Sequence, residues 1–145
     1  MSSDTDTAPD RRSRSEPETL RLRAVVPSLT VDDLEKSIQW YRDVVGFVVG
    51  EEWKHEDKVM GVSLMAGATT LFLGQDDGAK GWDRDKGVGH RLHLQTSQDI
   101  DTVAANIKAR GGTLASEPED MPWGGRAFDL IDPDGFKMTI STAGE

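Results

Sequence analysis

Cysteine is absent from the 145 residues. That absence excludes disulfides, thiol nucleophiles and thiolate metal sites together. Long apolar runs are also missing, and nothing approaches the roughly 20 residues that a membrane-spanning helix needs. Positive charge is scarce: 17 Lys and Arg stand against 26 Asp and Glu, a formal net charge of −9. A surface of that sign repels phosphate backbones and anionic lipid. Nucleic acid and membranes are therefore not expected partners, a cytoplasmic location is expected, and a cationic small molecule would be drawn to the chain. What is present is one domain's length of chain with 36% hydrophobic residues, enough for a real core.

The first stretch, "MSSDTDTAPDRRSRSEPE", holds almost no large apolar side chain and cannot bury enough surface to order itself. It also lacks the apolar centre of a signal peptide. Residues 1–19 read as a disordered tail, with a single folded domain over 20–145.

Within that domain the chain reads as a duplication. "LTVDDLEKSIQWYRDVVG" at 29–46 has a strand end, an acidic helix start and an amphipathic helix closed by glycine; "LQTSQDIDTVAANIKARGG" at 94–112 repeats the logic. Asp33 answers to Asp99, Leu34 to Ile100, Ile38 to Ala104, Tyr41 to Ile107 and Gly46 to Gly112. Strand patterns follow each helix: "FVVGEEW", "VMGVSLMAG" and "ATTLFLGQ", then "GTLAS", "GRAFDLI" and "FKMTIS". "DPDG" at 132–135 is a tight turn whose carboxylates are expected to serve structure.

Strand, helix and three strands, twice over, resembles the vicinal oxygen chelate superfamily of glyoxalase I, extradiol dioxygenases, fosfomycin-resistance and bleomycin-binding proteins. "LTVDDLEKSIQWYRDVVGF" and "DPDGFKMTI" carry the resemblance. It implies an α+β fold of two βαβββ modules, at about 20–75 and 88–142 with a linker over 76–87, forming a curled open mixed sheet around a concave ligand cleft. It also implies a homodimer and, in many members, a divalent metal held by His or Glu from the first and last strands of both modules.

Strand alternation gives the register for those positions. In "VVPSLTV", Val25, Pro27, Leu29 and Val31 make the apolar face, leaving Val26, Ser28 and Thr30 toward the cleft. In "ATTLFLGQ", Leu71 and Leu73 point inward and Thr70, Phe72 and Gly74 outward. If Thr96 matches Val31, Leu92 and Leu94 are inward and Arg91, His93 and Gln95 face the cleft; Lys137, Thr139 and Ser141 share that side. The resemblance's metal positions then hold Val26, Phe72, Arg91 and Thr139, which offer no imidazole and no carboxylate. His90 and His93, three apart on a strand, project to opposite faces and make no ligand pair. No metal site and no cofactor are expected.

The cleft would instead be lined by Ser28, Thr30, Phe72, Arg91, His93, Gln95 and Thr139, with Trp53 and Trp123 available to stack on a planar or cationic ligand. Arg91 has an internal use as well, pairing with Glu51 or Asp129. His93 is the one candidate for acid–base duty. Residues 74–89 read as a cover over the site or a plain linker. The leading expectation is a metal-independent small-molecule binder resembling the bleomycin-binding branch. Its alternatives are an enzyme of the superfamily, a lyase, isomerase or dioxygenase, and an interaction module with a vestigial cleft.

Overall fold

A computed structural model describes residues 20–142, so the expected disordered tail over 1–19 lies outside the described residues. Two modules of the same plan follow one another. The first is β1 (Ser28–Val31), α1 (Leu34–Gln39), β2 (Val48–His55), β3 (Lys58–Ala66) and β4 (Thr69–Gln75). The second is β5 (Leu92–Gln95), α2 (Ile100–Ala109), β6 (Ser116–Asp120), β7 (Arg126–Ile131) and β8 (Lys137–Ser141). The open sheet is built in two four-stranded halves, ordered β1-β4-β3-β2 and β5-β8-β7-β6. In each half the first strand runs parallel to the last, and the other pairs are antiparallel.

The duplication is visible atom by atom. Both helices begin on an aspartate whose carboxylate caps a free backbone N–H: Asp33 accepts from Lys36 at 3.2 Å and Asp99 from Thr102 at 3.0 Å. Tyr41 and Ile107, matched in sequence, are both wholly buried. Their carbonyls accept from the N–H of Gly46 and Gly112 respectively, each at 2.9 Å. In the first module that five-residue span belongs to a π-helical segment over Trp40–Val45, with Gly46 closing it at a φ of 115°. In the second, the left-handed backbone falls one residue earlier, on Gly111 at 95°.

Burial follows the alternation read from the sequence in β4 and β5, whereas in β8 Thr139 and Ser141, read as facing the cleft, are buried as well as Met138 and Ile140. Leu29, Val31, Leu71 and Leu73 in one half, and Met138 and Ile140 in the other, join both helices in one core. Burying each such side chain contributes about 1.5–3 kcal/mol. Leu92 and Leu94 pack against the same core while His93 and Gln95 are exposed, so the inward set in β5 is the one expected.

Two expectations need correcting. Val25 does not join the core face: β1 begins only at Ser28, and Val25 is 84% exposed. The sixth strand lies at Ser116–Asp120, not over "GTLAS" at 112–116. Leu114 still packs against the core, but ladder pairing continues into the polar run that follows. An edge strand with one open side needs no apolar alternation, and Pro118 sits in the register irregularity between Ser116 and Glu119, where a missing donor costs no ladder bond.

The linker is fastened. Lys86, its side chain 5% exposed, lies 2.7 Å from Asp32, 2.9 Å from Asp76 and 3.5 Å from Asp134, and Arg84 pairs with Asp76 at 2.8 Å. One lysine thus ties the linker to the start of α1 and to the β7–β8 turn. Of the two roles read for residues 74–89, a tethered connection describes the Asp76 to Gly87 part. The turn carboxylates are structural, as expected: Asp132 accepts from the N–H of Asp134 and Phe136.

Candidate ligand-binding face

The face of each half-sheet opposite the core carries the candidate residues, placed there by strand alternation alone. On the first module Ser28 lies beside Phe72 and Thr30 beside Gly74 in the β1–β4 ladder. Trp53, paired with Gly61, meets Phe72 edge to face with ring centroids 5.5 Å apart. A Cβ at Gly61 would press on the Leu73 carbonyl oxygen at 3.3 Å and touch the indole at an ordinary 3.5 Å. The indole is 45% exposed and offers a ready surface to a flat partner.

On the second module the matching row is polar. His93 lies beside Thr139, and Thr139 beside Asp129. The Thr139 hydroxyl donates to Asp129 Oδ1 at 2.6 Å, and Ser116 donates to Oδ2 at 3.1 Å. Arg91 Nη1 donates to Thr139 Oγ1 at 3.2 Å and lies 3.4 Å from Asp129 Oδ1. Of the two internal partners read for Arg91, Asp129 is the one found. Glu51 instead uses its backbone N–H, which donates to the Ser63 hydroxyl at 2.8 Å. The contribution of Ser63 and Ser116 was not anticipated; a lone serine in a strand gives no sequence signal distinguishing it from a surface residue.

Neither of two grooves in the surface gathers the candidates. Ser28, Thr30, Trp53 and Phe72 form one group, and Arg91, His93, Gln95 and Thr139 another. Trp123 stands apart in the β6–β7 connection, 65% exposed. A groove of about 540 Å³ runs between the β3–β4 hairpin and the end of β5, over Phe47, Met65, Leu94, Val103 and Ile140. None of its lining residues is charged, and Gln95 alone of the candidates reaches it. A second groove, about 670 Å³, lies along α1 and contains no candidate.

The metal positions implied by the resemblance are a poor fit to a cation. Val26 precedes β1, Phe72 is committed to the aromatic contact, and Arg91 brings a permanent positive charge beside Thr139. Hard or borderline divalent metals need imidazole, thiolate or carboxylate donors. Among the described residues, no group of three or more His, Asp or Glu is placed to hold a metal ion. His90 is no partner for His93 either: its ring meets Phe136 at 5.8 Å.

Two βαβββ modules with an open sheet and ligand-type side chains on the uncovered face define a fold class shared by several chemistries. The chain belongs to the Glyoxalase/Bleomycin resistance protein/Dioxygenase superfamily, whose family model matches residues 22–140. Similar proteins include a lactoylglutathione lyase of Arabidopsis thaliana, 26% identical over 120 residues, covering 79% of this chain. The chain spans only 42% of that relative's length. Among solved structures, a member of the same superfamily from Sphaerobacter thermophilus is 30% identical, with a TM-score of 0.63 over 83% of this chain and 98% of its own. TnmS3, an antibiotic binding protein from Streptomyces, has a TM-score of 0.68 at 24% identity, over 88% of this chain and all of its own, a likeness of fold. No helix among the described residues is long and apolar enough to cross a membrane.

Proposed function

We propose that the chain is a metal-independent small-molecule-binding protein of the glyoxalase/bleomycin resistance type. Its ligand, aromatic or cationic, lies against the uncovered sheet face, and a second copy of the chain completes the cleft. The observation that carries this reading is the Arg91–Thr139–Asp129 cluster. It fills two of the four positions where a metal-dependent relative would place ligands, and its hydroxyl and carboxylate are hydrogen-bonded within the protein there. The exposed Trp53–Phe72 corner supplies the aromatic surface. Pairing of copies is supported by the separation of the two candidate groups, and by Trp53, Met65 and Ile131, each more than 40% exposed in a single chain.

Native mass spectrometry of purified protein tests both halves of the proposal. Twice the chain mass and a co-purified organic molecule support it. Stoichiometric zinc, nickel, manganese or iron, lost together with a measurable activity, overturns it.

The relatives named lactoylglutathione lyase favour a second reading, a lyase of the superfamily. Here His93, exposed beside Thr139, is the available proton-transfer group. Turnover of lactoylglutathione that fails in His93→Ala would establish it.

A further inference from the structure

We infer that Arg91 is the anchor for a carboxylate on the ligand, which makes the preferred ligand class an aromatic carboxylate and not a cation. The inference rests on the cleft reading above and adds to it the charge of what is bound.

The two charged groups at the centre of the second module's open face are unequal in what they have left to offer. Asp129 has its charge answered from within: Oδ1 receives the Thr139 hydroxyl and lies 3.4 Å from Arg91, while Oδ2 receives Ser116. An ammonium arriving there would meet a carboxylate whose charge is already offset by the guanidinium 3.4 Å away, and would be repelled by that guanidinium. Arg91 is only half used. Its Nη1 is held by Thr139 and Asp129, whereas Nε and Nη2 have no partner among the described residues. Those two N–H groups point along one edge of the planar group, the parallel fork that matches a carboxylate's two oxygens. The contacts at Nη1 hold the plane in position, so little side-chain freedom remains to be lost on binding.

The overall charge of −9 does not reverse this preference. At physiological ionic strength charges beyond roughly 8 Å are largely screened, so the contact at Arg91 outweighs the distant acidic surface. The side chain is 38% exposed, open enough to be reached and close enough to Thr139 to be steered. In the cleft that a second copy completes, as proposed above, Trp53 and Phe72 provide the surface for the ligand's ring.

Three probes of one shape separate the possibilities: 2-naphthoate, 2-naphthamide and protonated 2-naphthylmethylamine, each titrated calorimetrically into the full chain. The expected result is naphthoate binding at least tenfold tighter than the other two. Arg91→Gln should reduce naphthoate to the level of the amide and leave the amide unchanged, with Arg91→Lys falling between because it keeps the charge but loses the fork. Thermal unfolding of each variant confirms that it is folded. If the ammonium probe binds best, or Arg91→Gln leaves naphthoate unaffected while Trp53→Ala weakens all three, the cleft reading stands and the carboxylate inference is overturned. If no probe binds, or Trp53→Ala changes nothing, the cleft reading fails and the inference falls with it.

Discussion

The Tyr41 hydroxyl donates to Asp132 at 2.8 Å across 91 positions of chain, joining the first module's helix to the β7–β8 turn of the second. Both groups are buried, and burial is the main reason that the phenol's pKa is pushed well above its ordinary value, the nearby carboxylate adding to it. Burial likewise raises Asp132 above its ordinary 3.8, against the donors that lower it.

Tyr41→Phe removes one of those donors without changing shape. The expected cost is about 1–3 kcal/mol, that of a buried acceptor losing a partner. It should also depend on pH. A carboxyl raised on folding contributes stability that is full below 3.8 and lost as pH rises through its folded pKa, and losing the Tyr41 donor raises that pKa further. Urea denaturation should therefore find a larger deficit for Tyr41→Phe at about pH 7 than near pH 4. Equal deficits would count against the coupling.

How much of this was legible in the sequence depends on the range of the signal. Strand alternation placed Leu71, Leu73, Leu92 and Leu94 inward, and Phe72, His93 and Thr139 outward, because a period of two needs only local chain. The caps at Asp33 and Asp99 were visible in the same way. The ion cluster around Lys86 was not: its members come from four separate stretches, and nothing in "KGWDRDKG" says that the Lys86 side chain is buried and Lys80 is exposed. Val25 misled because its apolar side chain fits a strand pattern, yet the ladder starts three residues later. Pro118 lies within β6 and is tolerated there because the strand is at a sheet edge. The candidate site was read only as a set of residues expected to face outward, since one chain's pattern does not encode how modules face each other.

Asp76 should control acid stability. The Gly78 N–H, then Lys86 and Arg84, hold its carboxyl well below the usual 3.8. The sign is opposite to that of Asp132: this stability is present above 3.8 and is lost as pH falls through the lowered pKa. Thermal melts from about pH 5 down to pH 2.5 should show a steeper decline for wild type than for Asp76→Asn, although the variant is less stable at the upper end. Parallel curves would remove Asp76 from the explanation.

Lys86→Met should release the linker. Without the ammonium, the carboxylates of Asp76 and Asp134, 3% and 5% exposed, face each other's charge with less compensation. The linker's own Lys80 and Arg84 are trypsin sites, so limited proteolysis reads the release directly. Cleavage after those residues should be at least tenfold faster than in wild type, while cleavage elsewhere changes less. An unchanged linker rate would show that local backbone contacts, such as Gly87 against Gly135, hold the segment alone.

Gly87→Ala addresses that second fastening. A Cβ there would lie 2.3 Å from the Gly135 carbonyl oxygen, and the backbone φ of 75° already disfavours any side chain. Since the neighbour is backbone and cannot swing away, the variant should lose more than the roughly 1 kcal/mol of the left-handed conformation itself. A melting temperature within a degree or two of wild type would mean that the turn shifts freely.

Thr139→Val tests whether the open face of the second module acts as one unit. The substitution keeps the shape but removes the oxygen that donates to Asp129 at 2.6 Å and accepts from Arg91 at 3.2 Å. Its direct cost should be about 1–2 kcal/mol, because Asp129 retains Ser116 and Arg91 as partners. The more telling quantity is its coupling to Arg91→Gln. If Thr139 positions the guanidinium, the double variant should be less destabilised than the sum of the two single changes, by about 0.5 kcal/mol or more. Naphthoate binding should follow the same rule, with Thr139→Val weakening it only while Arg91 is present. Additive effects on both stability and binding would mean that Thr139 and Arg91 act independently despite their contact.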